Sequence, residues 1–156
     1  MEENKRLFLE SQTDSLLSTL TADAIANWGK MSAQQMVEHL EDFFQVSTEQ
    51  KIFPLITPQE QLPLYKQFLY SDKVFRENTK APLEIIGEEP QPERYESLQE
   101  ALQHLKETIA HFFAYFAATP EKQTVHPVFG PLNFDEWILL HYKHVSHHSR
   151  QFSLLP

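Results

Sequence analysis

Apolar residues recur at helical spacing in four segments of the chain, which predicts four amphipathic helices. The first segment runs roughly from Asn4 to Leu20 and has the least regular pattern, with core candidates at Leu9, Leu16, Leu17 and Leu20. The second helix follows Ser32, and Gln35 three residues later completes the sequence signature of a capping box. One face of this helix carries Ser32, Gln35, Met36, His39, Phe43 and Val46.

The two later helices begin with the same kind of signal. One starts at Ser97, with Glu100 in the box position, and the other starts near Asn133, with Glu136 in that position. The apolar stripe of the third helix consists of Leu98, Leu102, Leu105, Ile109, Phe112 and Phe116. The inner face of the fourth consists of Trp137, Leu140, His144, His148, Gln151 and Leu155.

A long, proline-rich connection from Glu49 to Glu96 separates the second and third helices, and we expect a short helix within it around Pro58 to Tyr70. A crossover of this length allows the two helices that it joins to run parallel. The connection before the fourth helix is short and is stiffened by three prolines. The pattern therefore predicts one all-α domain over residues 1–156, a four-helix bundle with a long crossover between helices 2 and 3.

Composition narrows the class of protein. A hydrophobic content of 41% with twelve Phe favours a folded globule. A net charge of -9 without a basic stripe argues against a nucleic-acid partner. No apolar run approaches the ~20 residues of a membrane span, and the amino-terminal segment lacks the apolar stretch of a signal peptide. With no Cys, disulfides and thiolate ligands are excluded, and a cytoplasmic location is the default expectation.

Four histidines fall within the eight residues HYKHVSHH, His141 to His148. His144 and His148 are four residues apart, so a helix places both imidazoles on one face, where they can bind one metal ion. The best third donor is His39, although a lone histidine on an apolar face is more often a hydrogen-bonded core residue. These residues predict an open three-histidine site for one divalent metal, with Zn or Ni the leading candidates.

Three other histidines lie near this site in sequence or phase. His141 and His147 are either a fourth ligand, partners that fix the tautomer of a ligand, or residues at the rim. His126 lies in the turn HPVFGPLN, which we expect to fold over the mouth of the bundle. We favour a loop role for His126 over contact with a substrate.

Carboxylates flank His39 on the second helix. Asp42 is nearest to it in helical phase and would be able to orient a ligand or act as a base. An exposed acidic flank made of Glu38, Glu41 and Asp42 is the more frequent arrangement, and we expect that arrangement here. For the lining of a substrate pocket, the aromatic candidates that bracket the histidines are Trp137, Phe43 and Phe129.

The segments WGKMSAQQMVEHL, HPVFGPLNFDEW and HYKHVSHHSRQF together resemble the DinB-like (DinB/YfiT) superfamily of metal-dependent enzymes, in particular a short subgroup of unknown function. The resemblance implies a four-helix bundle with ligands at His39, His144 and His148 and with Gln151 as the glutamine of the closing motif. The usual motif has Arg-Gly before that glutamine, whereas Ser149 and Arg150 stand there in this chain. This departure leaves the ligands intact and affects the surface that would bind a thiol.

The sequence therefore favours a metal-dependent hydrolase or thiol transferase acting on a small molecule. A non-catalytic metal-binding or protein-interaction helical bundle is the alternative, and a metal closed by four protein ligands would favour it. The net charge of -9 disfavours a strongly anionic substrate unless local Lys or Arg compensates, so we expect a neutral or thiol-bearing one. The oligomeric state stays open, with a homodimer as one option.

Overall fold

The computed structural model of the chain describes residues 2–77 and 90–156. The fold is mostly helical, as expected, with one small antiparallel sheet that the sequence pattern did not predict. The elements in chain order are α1 (Glu2–Leu7), a π-helical turn (Phe8–Gln12), α2 (Thr13–Leu17), α3 (Ala33–Ser47), a 3-10 turn (Gln59–Gln61), α4 (Leu62–Tyr70), α5 (Leu98–Ala118), β1 (Thr124–His126), β2 (Gly130–Leu132) and α6 (Phe134–Gln151). Among the described residues, no helix has both the length and the apolarity to cross a membrane.

The first helical segment is interrupted by a π-helical turn and ends earlier than its sequence pattern indicates. The Thr13 hydroxyl donates to the Phe8 carbonyl at 3.0 Å within this turn. Leu9, Leu17 and Leu20 are buried as expected, although Leu20 lies beyond the end of α2. Leu16 is only partly buried, because the wider turn shifts the phase of the residues that follow it.

Side-chain caps fix where the three long helices begin. Complete capping boxes start α3 at Ser32, with Gln35, and α6 at Asn133, with Glu136. The box expected at the start of α5 is half formed. The Ser97 side chain accepts from the backbone N–H of Glu100, but the Glu100 carboxylate accepts from the N–H of Glu96.

Helix α3 packs against both other long helices, parallel to α5 and antiparallel to α6. Along the contact with α5, residue numbers increase in the same direction on both helices, from Glu41 with Thr108 to Phe44 with Phe112. Contacts with α6 run in opposite directions, from His39 with His148 to Phe44 with His141. The parallel pair is the arrangement that a long crossover allows.

The long connection contains the expected short helix, α4, preceded by the 3-10 turn. Part of the connection, residues 78–89, lies outside the described residues, and so do Met1 and the predictions that fall on them. After α4, the buried Lys143 of α6 donates to the backbone carbonyls of Ser71 and Lys73 and lies 4.7 Å from the centre of the Phe68 ring. These contacts hold the chain that follows α4 against α6.

The short connection before α6 is a β-hairpin, in which Thr124 pairs with Leu132 and His126 with Gly130. Gly130 has φ +79, the left-handed conformation that ends a three-residue hairpin loop. The His126 ring closes the loop from inside, because its Nδ1 accepts the backbone N–H groups of Val128 and Phe129. The segment has no Asn-Gly or Asp-Gly pair, so its sequence lacks the strongest hairpin signal.

Candidate metal centre

Three histidines converge where α3 crosses α6. His39 projects from α3, and His144 and His148 project from successive turns of α6. One ring nitrogen from each lies within 4.8 Å of the others, and the Nε2 atoms of His39 and His144 are 2.9 Å apart. We call these three residues the histidine triad. A group of this kind is able to hold a metal ion.

The triad is neutral near pH 7 because burial disfavours the charged form of each ring. Burial lowers the pKa of His39 to about 4. Burial also lowers the pKa of His144 and His148 well below the ordinary value, and each feels the neighbouring His39 as a further unfavourable charge. Neutral imidazoles retain a lone pair, which is the form in which histidine binds a metal.

Gln151 fixes the tautomer of His148. The Gln151 amide N–H donates to the Trp28 carbonyl at 2.9 Å, which can only accept, so the amide oxygen faces His148. That oxygen lies 2.7 Å from Nδ1 of His148, which must therefore carry its proton and donate. The lone pair of His148 is then on Nε2, the nitrogen left for the triad. Partners of this kind orient the histidine ligands of metal sites.

Gly29 makes room for this arrangement. A Cβ at this position would lie 3.0 Å from the Gln151 amide nitrogen, and Gly29 has φ +78, in the left-handed region. Both observations favour glycine where the loop before α3 passes over the end of α6. The loop thereby brings the Trp28 carbonyl to Gln151 without a side chain between them.

The donor set of the triad fits a divalent metal. Two nitrogens bound to one tetrahedral zinc at ~2.1 Å lie about 3.4 Å apart. The separations in the triad, from 2.9 Å to at most 4.8 Å, bracket that value. His39 and His144 are half-buried, whereas His148 is buried. A tetrahedral ion bound by three protein nitrogens would keep a fourth position for water or substrate, as catalytic zinc sites do.

His141 and His147 lie outside the triad. His141 is buried in the core, where its Nε2 is 3.1 Å from the Ser47 hydroxyl and its ring stacks on Phe44 at 3.8 Å. His147 is also buried, and its ring packs between Trp28 and Phe75. Burial, and then the charge of Arg150, lowers the pKa of His147.

His126 is the last residue of β1, directly before the hairpin loop, rather than the loop residue expected from sequence, and it is buried. Its Nδ1 accepts from two backbone N–H groups, and burial lowers its pKa to about 3, so the ring is neutral. The His126 ring stacks on the Phe43 ring, with 5.6 Å between the ring centres. The Phe43 ring in turn packs edge-on against His39 and His144, at centre-to-centre distances of 5.3 Å and 5.4 Å. His126 therefore supports one wall of the triad through Phe43.

The other two aromatic candidates are farther from the triad. Phe129 contacts His126 at 5.1 Å. Trp137 is fully buried, and its indole N–H donates to the Thr124 hydroxyl at 2.7 Å. Of the three residues expected to line a pocket, Phe43 contacts the triad directly, whereas Trp137 serves the core.

The acidic flank is not exposed, which corrects the expectation from sequence. Glu38 and Glu41 are 4% and 2% exposed, and Asp42 is partly buried. With their partners they form the carboxylate cluster, defined as Glu38, Glu41, Asp42, Arg94, Tyr95 and Thr108. A helix pattern cannot anticipate this burial, because the partners come from the end of the long connection and from α5.

Each carboxylate of the cluster has a protein partner. Glu41 accepts from Arg94 and Tyr95 at 2.8 Å each and from Thr108 at 3.0 Å. Burial and the Glu41 carboxylate raise the pKa of Tyr95 to about 12, so this phenol stays a donor. Asp42 accepts from Lys51 at 2.5 Å and from Arg94 at 2.8 Å. Its carboxylate is thus engaged with cations, although its charge still raises the pKa of the nearby His39 against the larger effect of burial.

Two residues near the triad have no signal in the hydrophobic pattern of the sequence. Phe75, in the stretch after α4, contacts the rings of His144 and His147. Trp28 supplies the carbonyl that holds Gln151. Both lie in irregular segments with no periodic pattern, so only the three-dimensional structure shows where they point.

Comparison with known proteins gives one match. No curated protein matches the chain, and no solved structure matches it. One family model, described as protein of unknown function (DUF1569), matches residues 5–154 and so spans the triad, the carboxylate cluster and the hairpin. The chain belongs to this DUF1569 family.

Proposed function

We propose that the histidine triad binds one divalent metal ion, zinc or nickel first, and that the protein is a metal-dependent hydrolase or transferase acting on a small molecule. One observation carries the proposal: three neutral imidazole nitrogens from two helices converge within 4.8 Å of one another. Buried polar groups normally find protein partners. Here the nitrogens point at one another, an arrangement suited to a cation.

The proposal includes a four-helix bundle of the DinB/YfiT type. Support comes from the parallel packing of α3 and α5 across the long connection and from the antiparallel packing of α6 on α3. It also comes from the places of the candidate ligands, one on α3 and two on α6. A Gln151 that binds His148 agrees with the closing motif that the resemblance implies.

A metal in an open site of this kind lowers the pKa of a bound water or thiol and polarises a substrate oxygen. The residues of the chain do the rest. Gln151 and the Trp28 carbonyl hold His148 with its Nε2 lone pair towards the triad. Phe43 and Phe75 pack on His144 and reduce the access of water to its ring.

The first experiment is the metal content of untagged protein, because a polyhistidine tag would bind metal by itself. We expect close to one equivalent of zinc or nickel by elemental analysis, with an anomalous signal at the triad in crystals. Metal-loaded protein would then be assayed with panels of esters, amides and thiols beside the His144→Ala variant. Activity that is equal in the variant contradicts metal catalysis.

The coordination number separates the enzyme from the non-catalytic alternative. An enzyme keeps a position for water or substrate beside three protein ligands, whereas a structural site is closed by four. X-ray absorption spectroscopy of the loaded protein should show three imidazoles and at least one light, exchangeable ligand. Four protein ligands, with no spectral change on adding a thiol, would assign the site to stability or partner binding.

A further inference from the structure

A cavity of about 530 Å³ lies next to the histidine triad. Two of its lining residues, Phe75 and His147, also contact the triad, Phe75 through His144 and His147 through His148. Trp28 and Leu154 contribute further apolar wall. The volume falls within the range of about 300–1,000 Å³ typical of small-molecule sites, which are largely apolar with a few polar groups.

Arg150 supplies the polar group of this cavity. Arg150 is part of the lining, and its Nη2 is buried without a hydrogen-bond partner among the described residues. A buried, charged donor without an acceptor costs more free energy than a neutral one. The backbone of Arg150 is held in place, because its carbonyl accepts from the Asn27 side chain at 3.1 Å. Among the described residues, Nη2 of this cation therefore lacks an acceptor.

We propose that this cavity binds a small organic acid, with its carboxylate on Arg150 and its flat apolar body against Trp28, Phe75 and Leu154. A carboxylate matches the fork of donors on a guanidinium and forms short, charge-assisted hydrogen bonds with it. The site is separate from the triad and does not need a metal. It supplies the local Arg that allows an anion to bind to a chain with a net charge of -9.

Glu77 also lines the cavity and carries the opposite charge. It is exposed, so water and salt screen its effect on a bound anion. The buried Nη2 of Arg150 is screened less and therefore sets the preference of the site. Replacing Glu77 with Gln consequently leaves carboxylate binding unchanged or makes it tighter.

The two tryptophans of the chain provide a built-in readout. Trp28 lines the cavity, whereas Trp137 is fully buried with its indole N–H on Thr124. In ¹⁵N-labelled, metal-free protein at pH 7, titration with 3-phenylpropanoate should move the Trp28 indole cross-peak in a saturable way and leave the Trp137 cross-peak in place. The Trp28→Phe variant assigns the two peaks. The amide, 3-phenylpropanamide, should bind at least about tenfold more weakly than the acid, because it lacks the charge.

Variants test whether Arg150 is responsible. Arg150→Gln should weaken binding of the acid by about tenfold or more and leave binding of the amide unchanged. Arg150→Lys, which keeps the charge and serves as a second variant if Gln disturbs folding, should retain a preference for the acid. His39→Ala should bind the acid like the wild type, so a failure of the metal proposal does not affect this one.

Four results would overturn the proposal. They are no saturable shift of the Trp28 peak at millimolar acid, equal affinity for acid and amide, unchanged acid affinity in a folded Arg150→Gln protein, and weaker acid binding in Glu77→Gln.

Discussion

Helix α3 carries two buried polar groups that differ in how their atoms are satisfied. On the side of α5, the carboxylate cluster gives its carboxylates partners from the protein. On the side of α6, the triad brings three neutral nitrogens together. A satisfied network has completed its task once the chain is folded, because nothing further can bind to it. In the triad, the Nε2 atoms of His39 and His144 are within hydrogen-bond distance of each other, and a nitrogen of His148 lies within 4.8 Å of both. Three such nitrogens match the donor set of a metal site, which the carboxylate cluster, engaged with cations and hydroxyl groups, does not.

The largest effect that tests this contrast between the two groups is on metal affinity. His39→Ala removes one of three donors, and we expect zinc affinity to fall by more than about 1,000-fold, or about 4 kcal/mol. Competition with a chromophoric chelator measures this. His111→Ala, at an exposed histidine of α5, is the matched control and should bind zinc as the wild type does. Unchanged affinity in His39→Ala would place the third ligand elsewhere.

The second effect is on the stability that the carboxylate cluster gives to the fold. Glu41→Ala removes the acceptor of the Tyr95 hydroxyl and one of the acceptors of Arg94 and of Thr108, and the free energy of unfolding should fall by about 3 kcal/mol. Urea denaturation of metal-free protein measures the loss. Glu107→Ala removes an exposed carboxylate of α5 and should cost less than about 0.5 kcal/mol. The folded Glu41→Ala protein should still bind zinc within a few-fold of wild type; a large loss of affinity would mean that the two faces are not independent.

A smaller effect should follow from the residue that orients His148. Gln151→Leu removes the acceptor of the Nδ1 proton, so the ring is free to change tautomer or to rotate. We expect zinc affinity to fall by about 10- to 100-fold. Gln103→Leu, on the exposed face of α5, is the control and should leave affinity unchanged. A Gln151→Leu protein with wild-type affinity would show that helix packing alone holds His148.

The last effect concerns the pH dependence of stability in metal-free protein. Burial lowers the pKa of His39 to about 4 and that of His126 to about 3, below the ordinary 6.5. At a pH between the folded and the unfolded pKa, the unfolded chain binds protons that the folded chain does not. The contribution of each buried histidine to the free energy of unfolding is therefore complete above pH 6.5 and is lost as the pH falls below it. Each such histidine contributes at most about 1.4 kcal/mol per pH unit.

Urea denaturation between pH 7.5 and 4.5 tests this dependence, with His39→Phe as the comparison. The variant lacks one buried imidazole and should lose less stability in acid than the wild type does. Equal slopes in the two proteins would mean that His39 is protonated as readily in the folded chain as in the unfolded one.

The parts of the fold that sequence predicts are those with local causes. The starts of α3 and α6 follow from a capping residue and its partner three positions later, and their inner faces follow from spacing. His39 lies on the apolar face of α3, and His144 and His148 lie on the inner face of α6. The three side chains therefore come together when these two faces pack against each other. The π-helical turn in the first segment has no local signal, so the end of that segment was misplaced.

The parts that sequence missed depend on partners distant in the chain. The sequence predicts that Glu38 and Glu41 are exposed, because no residue near them in the chain indicates that Arg94 and Tyr95 will pack against them. His141 lies on the same side of α6 as the candidate ligands, yet its Nε2 forms a hydrogen bond with the Ser47 hydroxyl. Long-range contacts of this kind are set by packing between helices, which residue spacing within one helix does not encode.

The triad joins residues 105 positions apart, His39 and His144. During synthesis His39 therefore leaves the ribosome long before its partners exist, and α3 is able to pair with them only when the final helix has emerged. Closing a loop of this length costs about 4 kcal/mol of chain entropy. Assembly of the triad is consequently a late event, and an ion bound as we propose would report on whether α3 and α6 have come together.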